Sequence, residues 1–92
     1  MQFPPGIEKY VNHAERRVTI KSDTLPFIQE HFSYIVETNL GARKSLDFGA
    51  YWTWMLNNVR GYWSIQSITV DTERFYFEQR NDAVMFKLKW GG

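Results

Sequence analysis

From Ile7 to Trp90 the apolar positions change period several times, and each change predicts an element. Ile7, Tyr10, Val11 and Ala14 recur at helical spacing behind Pro5 and Gly6, which predicts a short helix over about 6–14. Val18 and Ile20 then alternate with Arg17, Thr19 and Lys21, the period of a half-buried strand. In "SDTLPFIQEHFSYIVETNLG", Ser22, Asp23 and Thr24 are good caps, Pro26 suits a first helical turn and Gly41 suits the position after the last. Ile28, Phe32, Ile35, Val36 and Leu40 supply an apolar stripe, so a helix is predicted over about 25–39.

The stretch "LDFGAYWTWMLNNVRG" fits both periods. Leu46, Phe48, Ala50, Trp52, Trp54 and Leu56 alternate as in a strand, whereas Phe48, Tyr51, Trp52, Met55, Leu56 and Val59 form a helical stripe with Ser45 as cap and Gly61 as stop. Length favours the helix, because a strand of such length is uncommon and a helix of this length is ordinary. Gly49 stands against it, at about 1 kcal/mol relative to Ala.

From Trp63 onward the period is two. "YWSIQSITV", "RFYFEQ" and "AVMFKLKW" read as three strands, the last two joined by a hairpin turn at "RNDA". Phe75, Phe77, Val84, Phe86, Leu88 and Trp90 then share the buried face of that hairpin. The expected architecture is α+β: a mostly antiparallel sheet of about four strands, ending in a three-stranded meander and covered on one face by two or three helices. Residues 1–92 read as one domain, with 1–5 and 91–92 as frayed ends.

This pattern makes a specific statement about charge. If the phenylalanines point inward, Arg74, Tyr76, Glu78, Arg80, Met85, Lys87 and Lys89 lie on the uncovered face, joined by Arg17, Thr19 and Lys21 of the first strand. That face carries six cations against one anion, Glu78, on a chain whose net charge is only +1. Such asymmetry favours encounter with an acidic protein surface or a polyanion, and Tyr76 is placed to stack or to anchor. Solvation of an open sheet and protection of its edges explain the same residues without any partner. Trp54 falls off the helical stripe together with Leu46, which makes it a candidate second anchor.

Composition narrows the chemistry. Aromatic residues make up 17% of the chain, so a few large rings can fill a small core. Without cysteine there is no disulfide framework and no thiolate metal site. His13 and His31 lie in separate predicted helices, with no carboxylate at a ligand spacing, so no metal site is expected. No nucleophile elbow, phosphate-binding glycine loop or paired carboxylates occur, and no cofactor is implied. "MQFPPGIEKY" lacks the basic and apolar regions of a signal peptide, and no apolar run is long enough to span a bilayer, so a cytoplasmic protein is expected.

A strand, two helices and three antiparallel strands ending "ERFYFEQRNDAVMFKLKW" resemble the layout of the small ribosome-dependent ribonuclease toxins of the RelE and ParE group, over about residues 17–90. The resemblance implies RNA as partner, with Arg74, Tyr76, Arg80, Lys87 and Lys89 as the positions that could act. Element order alone does not transfer function. The leading expectation is therefore a non-enzymatic module that occupies the surface of an acidic protein partner, as a phage-type inhibitor or adaptor does. Its binding residues would be Arg74, Tyr76, Arg80, Lys87, Lys89 and Trp54. A nucleic-acid-binding protein or toxin-like ribonuclease is the alternative.

Overall fold

A computed structural model describes residues 1–39 and 48–90. Its elements are α1 (Pro5–Glu8), β1 (Val11–Asn12), β2 (Arg17–Val18), α2 (Leu25–His31), β3 (Tyr34–Thr38), α3 (Phe48–Asn58), β4 (Trp63–Ser67), β5 (Glu73–Phe77) and α4 (Arg80–Trp90). The protein is α+β, with a mixed five-stranded sheet in the order β1-β2-β4-β5-β3. The β2–β4 pair is parallel, through Arg17 and Trp63, and the other pairs are antiparallel.

Three expectations are corrected. The helix expected over 25–39 stops at His31, where Phe32 leaves helical geometry (φ −109°, ψ 75°). The chain continues as β3, paired along its length with β5 from Tyr34 opposite Phe77 to Thr38 opposite Glu73. β-branched Ile35, Val36 and Thr38 are poor helix residues and good strand residues, and this preference wins over the apolar spacing that spans both halves. The helix expected over 6–14 is likewise only α1, followed by β1 and a tight return into β2 that places Arg16 at φ 56°.

The third correction has the largest consequence. The predicted terminal strand is the helix α4, so the sheet ends in no meander and "RNDA" opens a helix. Ala83, Phe86 and Trp90 occur at helical spacing and turn inward, whereas Val84 and Leu88, expected in the core, are exposed. Ala, Met, Leu and Lys are strong helix formers, Asp82 sits in the first turn and Lys87 and Lys89 sit in the last, as the helix dipole favours.

Helices also cover both faces of the sheet. On one side α3 and α4 bury Tyr51, Met55, Val59, Ala83 and Phe86 against Val36, Trp63, Phe75 and Phe77. On the other, Phe3, Ile7, Ile28 and Phe32 pack with Val18 and Tyr76. Phe3, expected in a frayed end, is buried and meets the Tyr62 ring edge-on at 4.9 Å. Alternation along β5 explains both clusters, because Phe75 and Phe77 point one way and Tyr76 the other.

Two charged side chains close the turn between α3 and β4. The Asp82 carboxylate, buried at the start of α4, accepts the backbone N–H of Arg60 at 3.1 Å through Oδ1 and that of Gly61 at 2.8 Å through Oδ2. A methyl group on Gly61 would stand 2.8 Å from Gln79 Cγ, so glycine suits the close approach of the two segments. Arg16 donates to the Leu56 carbonyl at 3.0 Å and the Val59 carbonyl at 2.6 Å, satisfying acceptors that α3 leaves open at its C-terminal end. Inside the core, Tyr51 has a raised pKa, chiefly from burial and then from the Glu73 carboxylate, partly offset by Arg17.

Replacing Asp82 leaves two amides without their acceptor in a largely dry site. Asp82→Ala is expected to lower the unfolding free energy by about 2–4 kcal/mol, and Asp82→Asn by less, as measured by chemical denaturation. The raised Tyr51 pKa favours the protonated form in the folded state. Its contribution is therefore complete below the unfolded value of 10.0 and is lost as pH rises through the folded value. Denaturation midpoints measured from about pH 9 to about pH 11 should fall more steeply for the wild type than for Tyr51→Phe.

Candidate functional site

The covered sheet disperses the expected basic face. Tyr76 is only 1% exposed and lies beneath α1 and α2, its hydroxyl donating to Gln66 Oε1 at 2.7 Å. Arg74 is on the same side of β5 but is held by Glu37 of β3, at 2.7 Å from Nε and 2.6 Å from a terminal guanidinium nitrogen. Hydrogen bonding to Tyr76, and then to Glu37, raises the Arg74 pKa. Arg17 is also occupied: Glu15 accepts from it at 3.1 Å and its guanidinium lies over the Trp52 ring. Tyr76 and Arg74 tie neighbouring strands together, Arg17 is held by the preceding turn and α3, and the three are not gathered on one open surface.

Of the other four cations, Lys21 is exposed in the segment after β2, and Arg80, Lys87 and Lys89 leave the sheet altogether because the segment that carries them is α4. Arg80 and Lys87 lie seven residues apart, on one stripe of the helix, and Lys89 points elsewhere, over the Trp90 ring. Trp54 is half-buried between α3 and α4, with Phe86 at 6.1 Å and Trp90 at 6.4 Å, both edge-on. Its surroundings are those of a core residue. Leu46, paired with it in the sequence analysis, lies outside the described residues.

What the helix creates instead is a groove. A cavity of about 290 Å³ opens between α4 and the first half of β3, lined by Ser33, Tyr34, Ile35 and Val36 from the strand side and by Arg80, Ala83, Val84 and Lys87 from the helix. Tyr34 and Val36 share the β3 face that turns toward α4, as their opposition to Phe77 and Phe75 shows. Val84 is 46% exposed, Tyr34 40% and Ile35 51%, and beyond Val84 along the same stripe Leu88 is 83% exposed. Tyr34, Val84 and Leu88 are exposed on the α4 side of the sheet, whereas Ile35 is exposed on the opposite face, and apolar groups exposed together mark a contact surface more often than scattered ones do. Among the described residues, no acidic side chain lines the groove and neither Arg80 nor Lys87 has an ion-pair partner.

β3 also closes the sheet order on this side, so its outer edge has no strand partner among the described residues. Alternate residues of such a strand turn N–H and C=O outward. The outer edge of β3 therefore offers backbone donors and acceptors next to the apolar, cationic stripe of α4. Sequence reasoning assigned Arg80 and Lys87 to binding but missed Tyr34, Ile35, Val36 and Val84. The apolar spacing puts the first three in the helix expected over 25–39 and the fourth in the expected terminal strand. The β-branched run at Ile35–Val36 was the signal for an exposed strand.

A second constellation lies at the other end of the sheet. His13 bonds to the Glu8 carboxylate through Nε2 and to the Tyr62 hydroxyl at 2.8 Å through Nδ1. An ionised carboxylate only accepts, so Nε2 is the donor to Glu8, and in the neutral tautomer with that proton Nδ1 accepts from the Tyr62 hydroxyl. This chain clasps α1 and the turn after β1 to the start of β4. Among the described residues, no group of three or more His, Asp or Glu side chains gathers as metal ligands. None of the helices formed by the described residues is long and apolar enough to cross a membrane. No family model, curated protein or solved structure matches the chain.

If Trp54 is a core residue, its removal acts on stability. Trp54→Ala is expected to lower the unfolding free energy by about 1–3 kcal/mol through the lost contacts to Phe86 and Trp90, read from denaturant titration. A surface anchor truncated in the same way would leave the transition within about 0.5 kcal/mol of wild type.

Proposed function

We propose that the protein is a non-catalytic binding module that occupies a partner protein's surface through the groove between β3 and α4. The observation that carries this reading is the combination of exposed Val84 and Tyr34 with two cations, Arg80 and Lys87, that no described carboxylate neutralises. Apolar contact supplies affinity, and the paired positive charges select an acidic partner and speed its approach. A polynucleotide is a poorer fit, since the cations that would track a phosphate backbone are separated onto different faces or held in ion pairs. The three-strand ending on which the toxin resemblance was based is absent.

The test separates this groove from a general basic surface. Lysate of the cell that naturally contains the protein, with and without nuclease treatment, is passed over three immobilised forms: wild type, Arg80→Glu with Lys87→Glu, and Lys89→Glu. Proteins held by wild type and Lys89→Glu but released from the double variant are the expected result. Retention that survives the double variant, or that nuclease removes, overturns the reading.

A further inference from the structure

We infer that the outer edge of β3 takes an extended acidic segment of a partner protein as an added strand, with α4 reading its side chains. This deepens the groove reading above and rests on it. Strand addition supplies affinity through main-chain hydrogen bonds and specificity through pockets for alternate side chains. Both requirements meet here. β3 is five residues long and unpaired on its outer side among the described residues, and α4 stands beside that same edge. A sixth strand would also cover exposed apolar surface on both sheet faces at once, Tyr34 on the α4 side and Ile35 on the other.

The helix stripe defines the side-chain pattern. Arg80, Val84 and Lys87 follow one another along α4, and the two cations are separated by a rise of about 10 Å. In an extended segment, positions i and i+4 are about 13 Å apart and share a face. The reach of the Arg and Lys side chains absorbs the difference. The preferred segment thus has an acidic residue at i, an apolar residue at i+2 opposite Val84 and an acidic residue at i+4, all facing α4. Pairing of two β3 edges from two copies of this chain is disfavoured, because it would bring like charges together across the junction without supplying any carboxylate to either groove.

The probe is a display library of random peptides long enough to span β3, selected on the full-length protein. Recovered peptides are expected to carry the acidic, apolar, acidic pattern at alternate positions and to lose about tenfold or more in affinity toward Arg80→Glu with Lys87→Glu. Bound peptide should protect the outward amides of residues 34–38 from hydrogen exchange. Methylation of peptide amides that face the edge should weaken binding about tenfold per position, the order of one backbone hydrogen bond. Peptides that need Arg80 and Lys87 but leave the β3 amides unprotected and tolerate methylation overturn strand addition while the groove reading stands. Failure to recover binders, or binders indifferent to the double variant, overturns both.

Discussion

The Asp82 carboxylate is the contact on which the arrangement of α4 depends. It reaches from the first turn of that helix to the amides of Arg60 and Gly61, and so fixes the start of α4 against the turn that leads from α3 into β4. The neighbouring Glu78 side chain accepts the Tyr62 amide at 3.1 Å and extends the same lock by one residue. With its first turn held there, α4 lays Ala83 and Phe86 on the sheet in the rotation observed. That rotation leaves Arg80, Val84 and Lys87 beside β3. The groove is therefore a consequence of a buried acceptor satisfying two amides, and hydrophobic packing then stabilises the position.

The sequence made some of this legible and concealed the rest for identifiable reasons. Strand alternation at Trp63–Ser67 and Glu73–Phe77 is clear because Trp63, Phe75 and Phe77 lie in one buried layer. The aromatic stretch after Phe48 could be resolved as a helix by its length, and Tyr51, Met55 and Val59 do face the core. The terminal segment was misleading because Val84, Phe86, Leu88 and Trp90 alternate by accident of a helix that exposes two of its apolar residues. Had Asp82 been weighed as a first-turn residue and Ala83–Lys89 by intrinsic helix preference, the helix would have been the better reading. Exposed Val84 and Leu88 break the usual agreement between pattern and burial, and such breaks tend to fall at functional surfaces.

The candidate site was less legible than the fold because it depends on which faces are covered. A one-sided sheet would have shown Arg74, Tyr76 and the terminal lysines together, but α1 and α2 fill that side, with Ile28 and Phe32 packed near Tyr76. The charges of β5 are consequently used within the protein: Arg74 ties β5 to β3 through Glu37. Of the predicted binding residues, Arg80 and Lys87 are brought to a common groove, Lys89 is exposed on another side of α4, and Trp54 belongs to the packing between α3 and α4. Recognition by an edge strand and a neighbouring helix leaves no short motif, since its chemistry is backbone hydrogen bonding framed by ordinary apolar and basic residues. A motif search could not have found it.

The groove exists only if residues 80–90 are helical and seated beside β3. Backbone chemical shifts and nuclear Overhauser contacts of the isotope-labelled protein in solution test this directly. The structure predicts helical Cα shifts from Arg80 to Trp90, with Val84 methyl contacts to Tyr34 or Val36. Extended shifts over the same residues, with cross-strand contacts to β5, would contradict it and remove the groove with it.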